Sequence, residues 1–306
     1  MDNICIIMAT YNGEEFLEDQ ITSILENTYR DFVLHIYDDG STDRTLEIIR
    51  SFAEQYPSQV VCHQNRANKG VILNFLQAVE ELDADYYMLC DQDDIWLKRK
   101  IEKTLNYIRT LEDPARKLPV VVFGDAKVVN ENLSVQADSF QKQSKYHPEH
   151  TDLAHLLMEN KLLGCTIMFN RALKKKLYRF PPQIRMHDWW LGLVGTVFGT
   201  VGYLNEPLLL YRQHGTNIIG NPSYKDYIKN RTAQIERLQD ILYRTCNQAE
   251  AFLALYEEEL SKEQRTILHA FVTLPEQNWF VRRFRIIKYG FYKSGLIRNI
   301  GVLLVI

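Results

Sequence analysis

The stretch NICIIMATYNGEEFLEDQITSILENTYRDFVLHIYDDGSTDRT, residues 3–45, decides the fold of this 306-residue chain. Residues 4–10 form a short, almost wholly apolar run, which is typical of a strand buried on both faces. Residues 14–28 carry apolar side chains at helical spacing, and residues 32–38 are again strand-like. A buried strand, an amphipathic helix and a second buried strand predict a βα unit with parallel strands.

The same alternation continues as far as residue 125. Further strands are predicted at 59–64, 85–91 and 118–125, and further helices at 43–56, 71–82 and 97–111. We therefore predict an α/β fold, with a mostly parallel sheet flanked by helices on both faces. Residues 126–220 are less regular, and residues 223–270 are helix-like, so a C-terminal helical extension is expected.

Charge is unevenly distributed along the chain. Lys and Arg number 36 and Asp and Glu 39, a formal net charge of −3, yet residues 279–306 contain six basic residues and no acid. Residues 1–278 therefore carry −9. An acidic body with a basic tail is not the pattern of a nucleic-acid-binding domain, so no nucleic-acid partner is expected. A hydrophobic content of 46% and a charged content of 25% exclude a disordered or multipass membrane chain.

The five cysteines are too scattered for a disulfide framework or a zinc site. No two have a Cys-x-x-Cys spacing, and Cys5, Cys62 and Cys90 lie in apolar runs, where cysteine acts as a small buried hydrophobe. Residues 1–13 lack the basic segment of a signal peptide. We expect a cytoplasmic location.

The strongest local signal is the acidic sequence Asp91-Gln92-Asp93-Asp94, which follows a predicted strand. Three neighbouring carboxylates repel one another unless a cation lies among them, and oxygen ligands select Mg²⁺ or Mn²⁺. The alternative is that the acids cap the helix that follows, although one acid suffices for a cap. Ligands of parallel sheets bind at the carboxyl ends of the strands, where this sequence is predicted to lie.

A second acidic sequence, Asp38-Asp39-Gly40-Ser41-Thr42-Asp43, also follows a predicted strand. It has a structural interpretation, in which Gly40 forms a tight turn and Ser41 or Thr42 caps the next helix. It also has a functional one, in which a carboxylate accepts a hydrogen bond from the N3–H of a pyrimidine base.

Four motifs together resemble a known family. ICIIMATYNGEEFL, IYDDGSTDRT, NRANKG and MLCDQDDIW have the order and spacing of inverting family 2 glycosyltransferases of the GT-A fold. The motifs DQDDIW, HDWW and YRQHGTN are most similar to those of the bacterial rhamnosyltransferase-like branch, which builds cell-wall and capsular polysaccharides. The resemblance implies a GT-A domain at 1–220, with a nucleotide-sugar half at 1–125 and an acceptor half at 126–220. A helical C-terminal region at 221–306 would follow.

The resemblance also implies residue roles, carried over motif by motif. One set would bind the nucleotide sugar: Thr10, Tyr11 and Glu14 at the base and ribose; Asp39, or alternatively Asp38, at the pyrimidine; Asn68, Lys69 and Gly70 beside the nucleotide; Asp91 at the ribose; and Arg212 at phosphate. Asp93 would hold Mn²⁺ or Mg²⁺, with His214 as a further metal ligand or diphosphate contact.

An inverting transfer needs one general base to take the proton of the acceptor hydroxyl. The family carries an acid for this role in its second half, and the matching residue here is Asp188. This sequence has His187 where many relatives have Glu, and the alternative for Asp188 is a helix cap. Trp189 and Trp190 are predicted either to stack on a sugar face or to pack in the core.

The predicted function is thus a metal-dependent inverting hexosyltransferase, with L-rhamnose from dTDP-rhamnose as the first donor and another dTDP- or UDP-hexose as the alternative. A saccharide or lipid-linked saccharide would be the acceptor. A nucleotidyltransferase is disfavoured because TYNGEE lacks a basic phosphate loop. A non-catalytic sugar-nucleotide-binding scaffold is disfavoured because Asp39, Asp91, Asp93 and Asp188 are all present.

The tail is predicted to contact a membrane surface. On a helix, Phe280, Phe284, Ile287 and Phe291 would share one stripe, away from the basic residues. Aromatic and basic residues together suit the membrane interface, so residues 279–306 are expected to bind the inner face of the cell membrane peripherally. A helix docked on the body, or a homodimer built through residues 223–306, is the competing use of this surface.

Overall fold

A computed structural model describes residues 2–215 and 231–305. The described strands form one sheet in the order β3-β2-β1-β4-β8-β6-β9-β5, with β7 paired to β6. Their bounds are β1 Ile4–Thr10, β2 Phe32–Asp38, β3 Val60–Gln64, β4 Tyr86–Cys90, β5 Ile95–Trp96, β6 Val120–Asn130, β7 Val135–Ala137, β8 Met168–Asn170 and β9 Thr200–Gln213. The predicted α/β fold is confirmed.

The sheet is parallel in its first half and mixed in its second. Strands β3, β2, β1 and β4 all pair in parallel, as the alternating pattern predicts. Beyond β4 the short strand β8 runs antiparallel to both β4 and β6, and β5 runs antiparallel to β9. The long strand β9, which the sequence pattern did not separate from its surroundings, pairs in parallel with β6.

Helices cover both faces of the sheet. Their bounds are α1 Leu17–Leu25, α2 Thr45–Gln55, α3 Val71–Glu81, α4 Lys100–Leu111, α5 Phe140–Gln143, α6 Leu153–Met158, α7 Arg171–Lys174, α8 His187–Phe198, α9 Arg231–Tyr256, α10 Lys262–Val272, α11 Trp279–Tyr289 and α12 Leu296–Val305. One apolar core forms under α1, α2 and α4, and the other under α3, α6 and α8.

The C-terminal helices share the second core. Phe252 of α9 and Phe271 of α10 are fully buried in it, and the rings of Trp190 and Phe252 lie 5.2 Å apart. Replacing a fully buried aromatic of this kind by alanine costs about 3–5 kcal/mol. The helical extension is therefore packed on the acceptor-half residues, while the boundary predicted at residue 220 lies outside the described residues.

Three local expectations are corrected. Neither Ser41 nor Thr42 caps α2, because the backbone N–H of Thr45 is accepted by Asp43. Asp188 is not an N-cap, since α8 begins at His187 and its N-cap position is Met186. Phe291 does not belong to the tail stripe, because α11 ends at Tyr289, Gly290 follows in a left-handed turn and Phe291 is fully buried.

Two helices of the tail expose large apolar side chains. On α11 these are Trp279, Phe280, Phe284 and Ile287, and on α12 they are Leu296, Ile297, Ile300 and Leu304. Within residues 2–215 and 231–305, no helix combines the length and the apolar character needed to cross a bilayer.

Candidate functional site

The site lies where parallel strands β1, β2 and β4 end at the same edge of the sheet. Thr10 ends β1 directly opposite Asp38 at the end of β2, and the Thr10 hydroxyl donates to the Asp38 carboxylate. The acidic sequence 91–94 follows β4 immediately. These strand ends are adjacent because β1 pairs with both neighbours in parallel.

Asp38 and Asp39 hold the backbone around the second strand end. Asp38 is fully buried and accepts the Ser41 hydroxyl and the backbone N–H groups of Gly40 and Ser41. Gly40 has φ +83°, which a side chain would strain. The turn interpretation therefore describes Asp38 well.

Asp39 instead reaches across to the segment 65–70. Its carboxylate accepts the backbone N–H groups of Lys69 and Gly70 and the side-chain amide of Asn65, at 2.8–3.0 Å. Asn68 is exposed beside it and accepts the N–H of Gly70. The structure thus brings together Asp39 and the predicted Asn-Lys-Gly element.

Gln92 of the acidic sequence holds the loop after β1 through two hydrogen bonds. The backbone N–H of Tyr11 donates to Gln92 Oε1 at 2.9 Å, and Gln92 Nε2 donates back to the Tyr11 carbonyl at 3.2 Å. A Cβ on Gly13 would lie 2.4 Å from Gln92 Oε1, so a larger residue at position 13 would displace the Gln92 side chain. Tyr11 remains 48% exposed, whereas Glu14 accepts hydrogen bonds from Arg44.

The three carboxylates of the acidic sequence differ in their exposure. Asp94 is fully buried and Asp93 is partly exposed. Burial, followed by repulsion from Asp93 and Asp91, raises the pKa of Asp94 well above its ordinary value. Burial, with repulsion from Asp93 and Asp188, raises the pKa of Asp91 to about 7. The site therefore concentrates negative charge that a cation would relieve.

Arg212 of strand β9 and His214, which directly follows the strand, both reach this loop. His214 Nε2 lies 2.8 Å from Asp93 Oδ2, and the His214 ring packs 4.8 Å from Phe16. Arg212 is buried and donates to the carbonyls of Asp93 and Glu131, with Asp19 3.4 Å away. These contacts make Arg212 a support of the acidic loop, and its predicted phosphate contact stays a prediction.

A buried lysine that the sequence did not reveal lies beneath the acidic loop. Lys100 is 1% exposed, donates to the carbonyl of Cys165 and has its Nζ 3.5 Å from the centre of the Trp96 ring. Burial lowers the pKa of Lys100 to about 8, against the opposing influence of Asp94 and Asp91. Its place in the basic sequence Lys98-Arg99-Lys100 resembles an ordinary solvated helix start, so no local signal marked it.

Two sets of side chains could hold a metal ion. Ligand atoms of Asp91, Asp94 and Cys165 lie within 4.8 Å of one another. Burial raises the pKa of the Cys165 thiol well above its ordinary value, and Lys100 already supplies positive charge there. Asp93 and His214 instead offer oxygen and imidazole nitrogen, a donor set that suits Mn²⁺, so this pair fits an ion better.

Asp188 faces the acidic loop from α8. It is 4% exposed, and its charge contributes to the raised pKa of Asp91. Burial raises the pKa of Asp188 to about 6, against hydrogen bonds from the Asn160 side chain and from the backbone N–H groups of Trp189 and Gly164. A carboxylate with this pKa is ionised at neutral pH and still basic enough to take a proton.

The neighbours of Asp188 are core residues. The ring of His187 packs 4.2 Å from Phe75, and burial lowers its pKa to about 3, so it is neutral. Trp189 is 6% exposed and donates to the Leu156 carbonyl, while Trp190 is fully buried. Core packing is therefore the role of both tryptophans, and the sugar-stacking interpretation is wrong.

This α/β architecture, with acids at the ends of β2 and β4 and a buried acid facing them, is that of a GT-A glycosyltransferase. A sequence model of the family described as "Glycosyl transferase family 2" matches residues 5–178. The chain belongs to glycosyl transferase family 2.

The chain is similar to a curated relative and to solved structures. It is 31% identical over 232 residues to the dTDP-rhamnosyl transferase RfbG of Shigella flexneri, an alignment covering 71% of this chain and 75% of that protein. TarS 1–349 of S. aureus with UDP aligns over 90% of this chain and 71% of that one, with TM-score 0.56 and 15% identity.

A mannosyltransferase, PcManGT from Pyrobaculum calidifontis with GDP-Man and Mn²⁺, aligns over 98% of this chain and 78% of that one, with TM-score 0.57 and 15% identity. The chain spans 43% of the longer TarS chain. At these identities the likeness to solved structures shows the fold.

Proposed function

We propose that the protein is a metal-dependent inverting glycosyltransferase that uses a dTDP- or UDP-linked hexose, with dTDP-L-rhamnose as the first donor to test. The observation that carries this proposal is the placement of Asp188 beside the acidic loop 91–94. An added Cβ on Gly164 would lie 3.5 Å from Asp188 Oδ2, and the next residue, Cys165, has its sulfur within 4.8 Å of carboxylate oxygens of Asp91 and Asp94. The similarity to a dTDP-rhamnosyl transferase supports rhamnose as the donor sugar. The acceptor is a saccharide or a lipid-linked saccharide in cell-wall or capsular polysaccharide synthesis.

The donor binds along the edge formed by β1, β2 and β4. Exposed Tyr11 lies beside the base, and Thr10 and Glu14 stabilise the loop around it. Asp39 contacts the pyrimidine, and Asp38 holds the turn beneath it. The segment Asn68-Lys69-Gly70 closes over the nucleotide, because Asp39 ties its backbone to the strand end. Asp91 accepts a hydrogen bond from the ribose.

Asp93 and His214 would hold Mn²⁺ or Mg²⁺. When bound, such an ion neutralises charge on the departing nucleotide diphosphate. Arg212 keeps the acidic loop in place through the Asp93 carbonyl. Lys100 compensates the charge of Asp91 and Asp94 from the inner side.

Asp188 acts as the general base. As the acceptor oxygen attacks the anomeric carbon from the face opposite the diphosphate, Asp188 takes its proton. The new carbon–oxygen bond forms while the bond to the diphosphate breaks, and the anomeric centre inverts. Burial keeps Asp188 basic enough for this step, and the hydrogen bond to the Trp189 N–H at 2.6 Å fixes its orientation.

The tail places the enzyme at the inner face of the cell membrane. Exposed aromatic and aliphatic side chains on α11 and α12 stand among basic residues such as Arg283 and Lys288. Such a surface enters the lipid interface and is attracted to anionic headgroups. Homodimerisation through the same surface is the competing outcome.

A panel of nucleotide sugars with Mn²⁺ tests the proposal. We expect nucleotide release from dTDP-L-rhamnose or a UDP-hexose, together with tight binding of the same donor. Binding without release would indicate a non-catalytic subunit. Release of pyrophosphate from a nucleoside triphosphate would indicate a nucleotidyltransferase.

A further inference from the structure

A buried acid, Glu159, holds the C-terminal segment 291–299 on the acceptor half. We call its contacts with Ser294 and Arg298 the clamp. Glu159, at the end of α6, has a side chain that is 9% exposed. Its Oε1 lies 3.1 Å from Arg298 Nη1, and its Oε2 accepts the backbone N–H of Ser294 at 2.8 Å. A buried carboxylate needs such partners, because an uncompensated buried charge is costly.

The same segment also contacts the loop before α6. Arg298 Nη2 donates to the Ser144 carbonyl at 2.6 Å, and its guanidinium lies 5.1 Å from the centre of the Tyr146 ring. The backbone N–H of His147 donates to the Ser294 hydroxyl at 3.0 Å. Arg298 and Ser294 therefore hold both ends of the chain between residues 144 and 159.

The residues directly after Glu159 contact the proposed base. The Asn160 side chain and the Gly164 backbone both lie close enough to Asp188 to lower its pKa. Asn160 is itself oriented, because its Oδ1 accepts the N–H of Leu162 at 3.1 Å. Gly164 packs beside Asp188, since an added Cβ would lie in van der Waals contact with Asp188 Oδ2, at 3.5 Å. One turn, residues 159–164, thus carries the tail contact at its start and the base contacts along its length.

One side of helix α12 contacts the clamp, and the opposite side is exposed. Arg298 is directed to Glu159 and Ser144, whereas Leu296, Ile297 and Leu304 are more than 70% exposed. The clamp therefore connects the exposed apolar surface of the tail to the turn that orients Asp188.

We propose that Glu159 and Arg298 are positioning residues for the transfer reaction, which hold the turn 159–164 so that Asn160 and Gly164 orient Asp188. This inference rests on the proposed function of Asp188 as the base. It assigns the tail a role in the chemical step that is separate from membrane attachment.

The first measurement is nucleotide release from dTDP-L-rhamnose with water as acceptor and no lipid present. We expect Arg298→Met and Glu159→Gln to lower kcat about tenfold or more, because misplacing a catalytic group by about 1 Å costs up to roughly 10²-fold. The donor KM should stay within about twofold, since neither residue touches the donor edge. Arg298→Lys keeps the charge and should retain most of the activity.

The pH profile separates positioning from a general loss of structure. The polar contact of the Asn160 side chain lowers the pKa of Asp188. Its loss in Arg298→Met should therefore move the acid limb of kcat to higher pH. A matched control is Glu259→Gln, which breaks the partly exposed Lys176–Glu259 pair between the chain after α7 and the chain after α9. This control should leave kcat and its pH profile unchanged.

Hydrogen exchange gives a readout that needs no activity. The amides of residues 159–164 should exchange faster in Arg298→Met and Glu159→Gln than in the wild type, and at the wild-type rate in Glu259→Gln. Wild-type kcat and exchange in both clamp variants, or an equal loss in Glu259→Gln, would overturn the inference. If the wild type released no nucleotide from any sugar donor, the proposed function would fail. Hydrogen exchange alone would then show whether Glu159 and Arg298 hold the turn 159–164.

Discussion

The imidazole Nε2 of His214 lies 2.8 Å from the carboxylate Oδ2 of Asp93, although 121 residues separate them in the sequence. The contact joins the end of β9 to the loop after β4, because β5 pairs antiparallel with β9 and draws the two together. It places a nitrogen and an oxygen donor side by side at the donor edge.

Replacing His214 by alanine should weaken Mn²⁺ binding and lower transfer, because the site loses one of its two ligating side chains. Calorimetric titration of Mn²⁺ in the presence of the nucleotide diphosphate measures the effect. EDTA should abolish activity in the wild type. His269, an exposed histidine on α10, is the control, and His269→Ala should bind Mn²⁺ normally. Full wild-type activity in EDTA would refute the metal assignment.

Asp188→Asn should retain donor binding and lose transfer, because an amide cannot accept the proton. The loss in kcat should be about 10²–10⁴-fold, the usual contribution of a general base. Nucleotide release gives kcat, and titration with the donor gives Kd. Asp138→Asn, at an acid whose side chain is 85% exposed, should be neutral. Near-normal turnover of Asp188→Asn would remove Asp188 from this role.

The activity should fall on the acid side with an apparent pKa near 6. Burial raises the pKa of Asp188 to about 6, so its basic, ionised form predominates above that pH and is lost as the pH falls through it. The rate of nucleotide release across the pH range measures this limb. The limb should be absent from the residual activity of Asp188→Asn. A wild-type rate that stayed constant to about pH 5 would contradict the prediction.

Lys100→Met should destabilise the protein by about 3–5 kcal/mol, because it leaves the buried acids Asp91 and Asp94 without their internal cation. Chemical denaturation measures the free energy of unfolding. The loss should shrink as the pH falls, since these two carboxyls have raised pKa values and become neutral first. Lys103→Met, which breaks an exposed pair with Glu206, should cost less than about 1 kcal/mol. Equal losses in both variants would contradict this.

Replacing Phe280 and Phe284 by serine should weaken binding to anionic vesicles, because both rings are more than 60% exposed on α11. Co-sedimentation with vesicles at low salt measures the binding. Tyr243→Ser removes a similarly exposed ring from α9 and is the control. If the wild type ignores such vesicles but sediments as a dimer that the double variant disrupts, the surface is a subunit interface.

The regular part of the fold was predictable because each strand and helix of residues 4–111 has its own periodicity. Strands β1 and β2 begin and end where the apolar runs do. The second half was less predictable, because β5 and β8 are only two and three residues long and depend on partners distant in sequence. The predicted apolar stripe of the tail was wrong at Phe291, because Gly290 turns the chain back into the core.

The sequence by itself determined the βα order, the acids at the strand ends and the membership of family 2. These features depend on local hydrophobic pattern and on the residues of short motifs. Only the tertiary structure decided which acids meet which partners. It paired Asp93 with His214, placed Lys100 beneath Asp94, and brought Asn160 to Asp188. Such contacts depend on strand order and helix packing, and burial then sets the pKa values that determine which carboxylate can act as a base.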